Sequence, residues 1–448
     1  MDKHAGARQR MLEAPMWGVL VRLAVPGTAG ALIQSTISIV EGVYLGMLGR
    51  VELAGVALVF PLYMLINMLS SGAVGGAVAG ATARAVGAND RKGAEVILRL
   101  SMLIGLGGGA FMAAIVLGFG TVIFTWLGGQ GAVLEVALHY SAPLFTGAFC
   151  MWLFNMLCSV LRGTGDTLRP AYGFSIVTGS HALIAAVLIF GWGPVDAYGA
   201  FGAGLALPLA FALGFLYLAF YFLRGKAAIR WRLGAIPARV ALPVVRAGLL
   251  AGSQSFLTIG TALVATALIG RLGVAWLAGY GIGVRLEFLM IPVIFGIGAA
   301  LIGMVGANVG AGQRARAISI AWRGTGAAAV MVGGIGLLCA AFPDLWLGMF
   351  TDDAETLVAG RAYLRIVGPV YAFFGLGLCL YFASQAMNSL IWPVLGALLR
   401  LAIIAVGGIV MTANDWISPE SVFATVGLAM FTYGAFVAVT LRLGPWRR

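Results

Sequence analysis

Charged side chains are scarce in this chain: Lys, Arg, Asp and Glu make up 10% of its 448 residues, whereas 61% are hydrophobic. Because a soluble globular domain carries about 25% charged residues, the composition excludes that class. The mean hydropathy of +1.00 indicates instead a chain whose solvent is mostly lipid. We therefore expect an all-α, polytopic membrane protein.

Residue patterns that build metal, disulfide and catalytic sites are also missing. The four cysteines fall in apolar segments, with neither metal-ligand spacing nor a loop position suited to a disulfide. No nucleophile–base arrangement or paired carboxylates stand out, and no Gly-x-x-x-x-Gly-Lys-Ser/Thr loop is present to bind ATP. We expect no enzyme activity, no cofactor and no bound metal.

The chain contains repeated long apolar stretches. Since roughly 20 apolar residues span a bilayer, the sequence predicts twelve transmembrane helices, at 20–47, 54–80, 96–120, 138–161, 171–191, 200–223, 243–270, 277–306, 317–341, 362–384, 393–412 and 421–441.

The net charge of +12 is distributed unevenly along these segments. With the N-terminus placed in the cytoplasm, 22 Lys and Arg residues fall in the inner loops and tails, against four in the outer loops. Such a bias predicts a bacterial inner-membrane protein with both termini in the cytoplasm. The positive charge is thereby explained by topology, and we expect no nucleic-acid partner.

The sequence repeats at a period of about 224 residues, half its length. Because six helices are an even number, both copies have the same orientation. We predict a six-helix lobe over 1–223, a cytoplasmic linker over 224–242 and a second six-helix lobe over 243–448, with the substrate site at the interface. A duplication kept only for packing is the alternative. The recurring landmarks are Leu48–Gly55 with Leu272–Gly279, Val86–Arg91 with Val309–Arg314, Tyr140 with Tyr363, and Pro170 with Pro393.

Five motifs follow one another along the chain: Glu41 before Leu48-Gly49, Ala83–Asp90, Leu161–Pro170, Arg285-Leu286-Glu287, and Gly306–Gly312. Together they make the chain resemble the multidrug and toxic compound extrusion (MATE) family over nearly its whole length. The resemblance implies twelve helices in two lobes and alternating access. It also implies export of organic cations or other amphiphiles against an inward flow of H⁺ or Na⁺.

The chain departs from this family at positions that bear on the coupling ion. Members often carry Asn followed four residues later by Asp or Asn on helix five, as part of a first-lobe cation site; counted from Pro170, these positions hold His181 and Ala185. Many members also have an acid on helix seven, where this chain has Gln254. Because hard cations prefer oxygen ligands to imidazole, we favour H⁺ over Na⁺.

Two carboxylates, Glu41 and Glu287, lie within predicted helices away from their ends. A charge at the bilayer centre costs about 3 kcal/mol on insertion scales, so such groups face a cavity or a partner. Glu41 is about seven residues, or about 10 Å, from the outer end of its helix. We predict that Glu41, Asn155 and His181 form an ion-coupling site; a structural acid and an ordinary core histidine are the alternatives.

For the substrate we expect a cleft with apolar and aromatic walls and few polar groups. Glu287 is a candidate contact for a cationic substrate, and structural pairing with a group such as Gln254 is the alternative. Further wall candidates, for which helix packing is the alternative, are Gln34, Tyr63, Asn67, Gln254 and Tyr280.

The sequence favours a secondary antiporter that exports small organic cations or amphiphiles, as a monomer in contact with membrane lipid. A flippase for a lipid-linked saccharide is the alternative. That function calls for several basic residues in the cleft to hold pyrophosphate, whereas here only Arg285 and Arg400 lie deep within predicted helices, more than six residues from either end.

Overall fold

A computed structural model describes residues 3–447 of the chain. Over this range the chain is almost entirely α-helical and contains no β-strand beyond one isolated bridge between Trp192 and Val195. The helices are α1 (Lys3–Glu13), α2 (Met16–Leu48), α3 (Arg50–Asn67), α4 (Val74–Gly87), α5 (Arg91–Trp126), α6 (Gly131–Thr146), α7 (Ala148–Gly163), α8 (Leu168–Phe190), α9 (Gly199–Leu223), α10 (Ala238–Gly270), α11 (Val274–Gly310), α12 (Arg314–Ala341), α13 (Asp344–Leu347), α14 (Ala354–Val367), α15 (Tyr371–Met387), α16 (Ile391–Ala413) and α17 (Pro419–Leu443).

These helices confirm the predicted fold of twelve membrane crossings in two bundles. In the described range, eleven stretches are long and apolar enough to cross a membrane, and α6 with α7, bent by 47° at Gly147, makes the twelfth. The helices run beyond the predicted apolar segments. Segment 54–80, for example, is part of a helix from Arg50 to Gly87, because a helix continues into the headgroup region where polar ends are solvated.

An even number of crossings places both ends of the chain on one side of the molecule. We call this side the terminal face; it also carries the turns at 88–90, 164–167, 311–313 and 388–390 and the linker between α9 and α10. The other side, the opposite face, carries the turns at 127–130, 191–198, 271–273, 342–353 and 414–418.

The two repeats are interrupted at equivalent points. The α6–α7 bend lies at Gly147, four residues after Pro143. A 3₁₀ turn at Gly368–Val370, which contains Pro369, separates α14 from α15. Proline removes a backbone donor from a helix and favours such breaks, so the repeat extends from the sequence to the shape of the helices.

The first repeat has one residue more than the second in its second crossing. Arg50–Gly87 spans 38 residues and its counterpart Val274–Gly310 spans 37. The additional residue is taken up by a π-helical turn, Met68–Ala73, between α3 and α4, because a π turn is wider than an α turn by one residue. This turn explains why the repeat offset is 224 at Gly55 and 223 at Val86.

The two lobes are closed against each other near the terminal face. Arg84 of α4 donates hydrogen bonds to the backbone oxygens of Gln385 (3.0 Å) and Ala386 (2.7 Å) in α15. Gly87 lies so close to the backbone of Ala307 in α11 that a Cβ atom at position 87 would collide with it. Within residues 3–447, the hydrogen bonds between the lobes all fall in the half toward this face. These hydrogen bonds therefore hold the lobes together at the terminal end of the helices.

The N-terminal helix α1 holds both lobes at this closed end. The Arg8 guanidinium donates a 2.8 Å hydrogen bond to the backbone oxygen of Gly87, where α4 ends in the first lobe. From the second lobe, the amide of Asn308 donates a 3.0 Å hydrogen bond to the backbone oxygen of Met11. Met11 is buried, so α1 packs against both lobes and connects them at the terminal end.

Candidate functional site

Glu41 lies on α2 and is buried in the first lobe, with 7% of its surface exposed. Its Oε1 accepts a 2.7 Å hydrogen bond from the hydroxyl of Tyr140 on α6. Glu41 is seven residues from the end of α2 at Leu48, which places it about 10 Å below the opposite face. The predicted depth and a polar partner are therefore both present, in the half of the molecule away from the hydrogen bonds between the lobes.

Three of the predicted wall residues, Gln34 on α2 and Tyr63 and Asn67 on α3, lie farther from the opposite face than Glu41 does. Tyr63 is buried and close enough to Glu41 to interact with its charge. One turn further along α3, Asn67 accepts a 3.0 Å hydrogen bond at Oδ1 from Nε2 of Gln34. Gln34 and Asn67 are only half-buried, so this amide pair presents polar surface near the buried carboxylate.

Asn155 is fully buried on α7, and its Nδ2 donates a 2.9 Å hydrogen bond to Oγ of Ser70. Ser70 belongs to the π-helical turn, and its hydroxyl donates in turn to the backbone oxygen of Ile66 at 2.8 Å. Oδ1 of Asn155 has no hydrogen-bond partner among the described residues, so the amide keeps a free acceptor inside the lobe. Ser70 was missed by sequence reasoning, although the change in repeat offset marks its turn.

His181 lies on α8 and is fully buried. Its neighbours tie α8 to α2: Thr178 donates a 3.2 Å hydrogen bond to the backbone oxygen of Ile33, and Tyr44 donates a 3.3 Å bond to that of Ala182. Neither ring nitrogen of His181 has a hydrogen-bond partner within the part of the chain that the structure describes. A buried polar group without a partner costs free energy, so this position is occupied at the expense of stability.

The three predicted coupling residues do not form one hydrogen-bonded cluster. Glu41 is bonded to Tyr140 and Asn155 to Ser70, while His181 has no such bond to any of the described residues. The first lobe thus contains two separate polar sites and one isolated imidazole. Tyr140, recognised from the sequence only as a repeat landmark, is the direct partner of the carboxylate.

A second acidic site lies inside the second lobe, around the half-buried Glu287. Glu287 of α11 accepts hydrogen bonds from the hydroxyls of Tyr363 and Tyr371, the latter at 3.4 Å. The ring of Tyr280 stands edge-on to that of Tyr363, with centroids 5.3 Å apart. All three tyrosines are buried, so Glu287 and Tyr280 belong to an aromatic site within the lobe.

The remaining predicted contacts have other partners than those considered from the sequence. Gln254 is buried, and its Nε2 donates a 3.0 Å hydrogen bond to the hydroxyl of Tyr433, not to Glu287. Arg285 lies over the ring of Phe350, 5.3 Å from its centroid. The Arg-x-Glu motif therefore directs its two charges to different neighbours, as expected for residues two apart on a helix.

A two-lobed helical bundle that is closed at one membrane face, with a carboxylate inside each lobe, has the architecture of a membrane transporter. A family model described as MatE matches residues 26–187 and 251–410, one stretch in each repeat. The chain therefore belongs to the MatE family of multidrug and toxic compound extrusion transporters.

Individual relatives agree with this assignment. The chain is 24% identical to a protein described as an FAD transporter of Shewanella oneidensis, over 88% of this chain and 87% of the relative. It is 21% identical to the probable multidrug resistance protein NorM of Thermotoga maritima, over 79% and 76%. In fold it matches a MOP superfamily transporter from Pyrococcus furiosus with a TM-score of 0.88, at 20% identity and covering 98% of both chains.

Proposed function

We propose that this chain is an antiporter that exports small organic cations or amphiphiles across a bacterial inner membrane in exchange for H⁺, by alternating access. The observation that carries the proposal is the Glu41 carboxylate, buried in the first lobe and hydrogen-bonded to Tyr140. The excess of Lys and Arg on the terminal side supports a cytoplasmic terminal face. The hydrogen bonds between the lobes then lie on the cytoplasmic side.

Glu41 performs the coupling step in this mechanism. In its ionised form it attracts a cationic substrate and accepts the Tyr140 hydrogen bond. A proton arriving from outside neutralises the carboxylate, removes its attraction for the substrate and makes it a hydrogen-bond donor, to which the Tyr140 oxygen can respond as an acceptor. The lobe then repacks, the substrate leaves outward, and the terminal contacts at Arg84 separate. Glu41 releases its proton to the cytoplasm, and the ionised carboxylate attracts the next cationic substrate.

The ligands around Glu41 support H⁺ over Na⁺. The hydrogen-bond partner of its carboxylate is one tyrosine hydroxyl, whereas hard cations take several oxygen ligands. The names of the relatives support export of organic compounds without fixing one class, since one is described as an FAD transporter and another as a probable multidrug resistance protein.

Proteoliposomes holding the fluorescent cation ethidium test the proposal. We expect an inward H⁺ gradient imposed by an external acid jump to drive efflux, and an equal Na⁺ gradient at constant pH to give only the leak of empty liposomes. Efflux driven by Na⁺ alone would overturn the choice of ion. Efflux that neither gradient accelerates would overturn antiport.

A further inference from the structure

Arg400 lies within a membrane-crossing helix but points into the second lobe. The lipid-facing stripe of α16 consists of exposed residues, whereas Arg400 shares the opposite stripe with the buried Pro393, Ala397, Ile404 and Met411. Residues three, four and seven apart lie on one face of a helix. The partial exposure of Arg400 is therefore toward a space inside the lobe.

The guanidinium of Arg400 enters the aromatic site that contains Glu287. It lies over the ring of Phe374, 5.4 Å from its centroid, and interacts with the charge of Glu287. The two residues lie at the same depth, because Glu287 is thirteen residues from the start of α11 and Arg400 thirteen from the end of α16, both at the opposite face. We call the space that the half-buried Glu287 and Arg400 face, beside Tyr280 and Phe374, the second-lobe chamber; Tyr363 and Tyr371 are fully buried behind Glu287.

The guanidinium of Arg400 has an N–H donor that no described residue accepts. Its Nε is buried without a hydrogen-bond partner among the described residues. Within the described chain no ion pair joins Arg400 to Glu287, whose Oε1 accepts hydrogen bonds from the hydroxyls of Tyr363 and Tyr371. A charged side chain at this depth is costly unless it meets a partner or a polar cavity. A guanidinium presents a planar set of donors that matches carboxylate and phosphate groups.

We propose that Arg400 binds the anionic group of a small amphiphile, a carboxylate or a phosphate, whose apolar part packs beside Tyr280 and Phe374 in the second-lobe chamber. This rests on the proposed exporter function and extends its substrates from cations to amphiphiles that carry an anionic group. Glu287, on the other wall, is placed to meet a cationic group on the same molecule. The chamber is therefore suited to zwitterionic as well as anionic compounds.

Equilibrium binding to purified protein in nanodiscs of neutral lipid tests this, with two fluorescent probes of similar size: the anion carboxyfluorescein and the cation rhodamine 6G. We expect wild type to bind carboxyfluorescein. We expect Arg400→Gln to lower its affinity relative to that of rhodamine 6G by at least about tenfold, the loss of one charge-assisted interaction. Arg285→Gln, a membrane-embedded arginine at Phe350, is the matched control and should leave the ratio unchanged.

Arg400→Lys is the second variant, since it keeps the charge and loses the planar donors; we expect an intermediate affinity ratio. If Arg400→Gln does not give a folded, monodisperse protein, the affinity ratio measured for Arg400→Lys tests the proposal. Wild type that fails to bind the anion, or an affinity ratio equal to that of wild type in both Arg400 variants, would overturn the proposal.

Nanodiscs containing phosphatidylglycerol distinguish a small substrate from a lipid headgroup. If this lipid displaces carboxyfluorescein from wild type, the headgroup supplies the phosphate that Arg400 binds; if it does not, the ligand is a soluble amphiphile. The measurement needs no ion gradient. If H⁺-driven efflux fails while anion binding is intact, the proposed exporter function is contradicted and the anion site is not. If anion binding fails while H⁺-driven efflux is intact, the anion site is contradicted and the exporter function is not.

Discussion

The hydroxyl of Tyr140 lies 2.7 Å from Oε1 of Glu41 and donates a hydrogen bond to it. Its counterpart in the second repeat, Tyr363, donates to Glu287 in the same way. The carboxylates themselves are not counterparts, because the position equivalent to Glu287 in the first repeat is Tyr63. The repeat has therefore preserved the tyrosine and moved the acid from one helix of the lobe to its neighbour.

Tyr140→Phe removes the donor to Glu41 and keeps the ring. A hydrogen bond to a charged group contributes about 1.5–3 kcal/mol, so we expect H⁺-driven ethidium efflux to slow by roughly tenfold or more, with the protein still folded. Tyr172→Phe, which changes an exposed tyrosine of α8, is the control. Equal efflux rates for Tyr140→Phe and wild type would show that this hydrogen bond has no part in coupling.

Arg84→Ala removes two hydrogen bonds between the lobes at the terminal face. Because each bond involves a charged donor, we expect the balance to shift toward a parted terminal face by at least about tenfold. Spin labels at positions 92 and 313, in a background without the four native cysteines, should report a longer distance. Arg224→Ala, an exposed arginine on the same face, should leave the distance distribution unchanged; a matching distribution for Arg84→Ala would contradict the role of this contact.

Much of this architecture is predictable from the sequence, because lipid imposes long apolar helices and the duplication repeats their landmarks. Glu41 stands out for the same reason, as an acid in an apolar segment. The partners of these residues could not be predicted. Tyr140 is 99 residues from Glu41, and helices that are apolar all round do not reveal which face meets the cleft, as Gln254 illustrates by facing Tyr433 inside its lobe.

The variant His181→Leu tests whether the imidazole takes part in proton transfer or only packs in the core of the first lobe. Since neither imidazole nitrogen has a partner within the described chain, an apolar side chain should leave the melting temperature unchanged or raise it, by the equivalent of about 1 kcal/mol. We expect the same variant to lose H⁺-driven efflux if His181 takes part in proton transfer. Thermal denaturation in detergent and efflux are measured together. A folded His181→Leu protein with full coupled efflux would make the imidazole a core residue only.

Asp353, outside the membrane, makes the start of α14 sensitive to acid. Hydrogen bonds from the side-chain hydroxyl of Thr356 and from its backbone N–H, the latter at 2.8 Å, hold the pKa of the Asp353 carboxylate below its usual value. The stabilisation is therefore present at neutral pH and is lost as pH falls through the lowered pKa, below about 4. Hydrogen exchange should show the first turn of α14 opening in that range in wild type. In Asp353→Asn, which has no charge to lose, the opening should not depend on pH there; the same pH dependence in both proteins would contradict this assignment.

The most direct test of the account follows protons and substrate together in the Glu41→Gln variant. Proteoliposomes loaded with ethidium and the pH dye pyranine report both fluxes at once. We expect wild type to acidify the lumen as ethidium leaves. The control Glu355→Gln, which changes an exposed acid, should behave as wild type. Glu41→Gln should lose proton entry and gradient-driven efflux together. Proton-coupled efflux at the wild-type rate in folded Glu41→Gln would contradict the claim that this carboxylate couples the two fluxes.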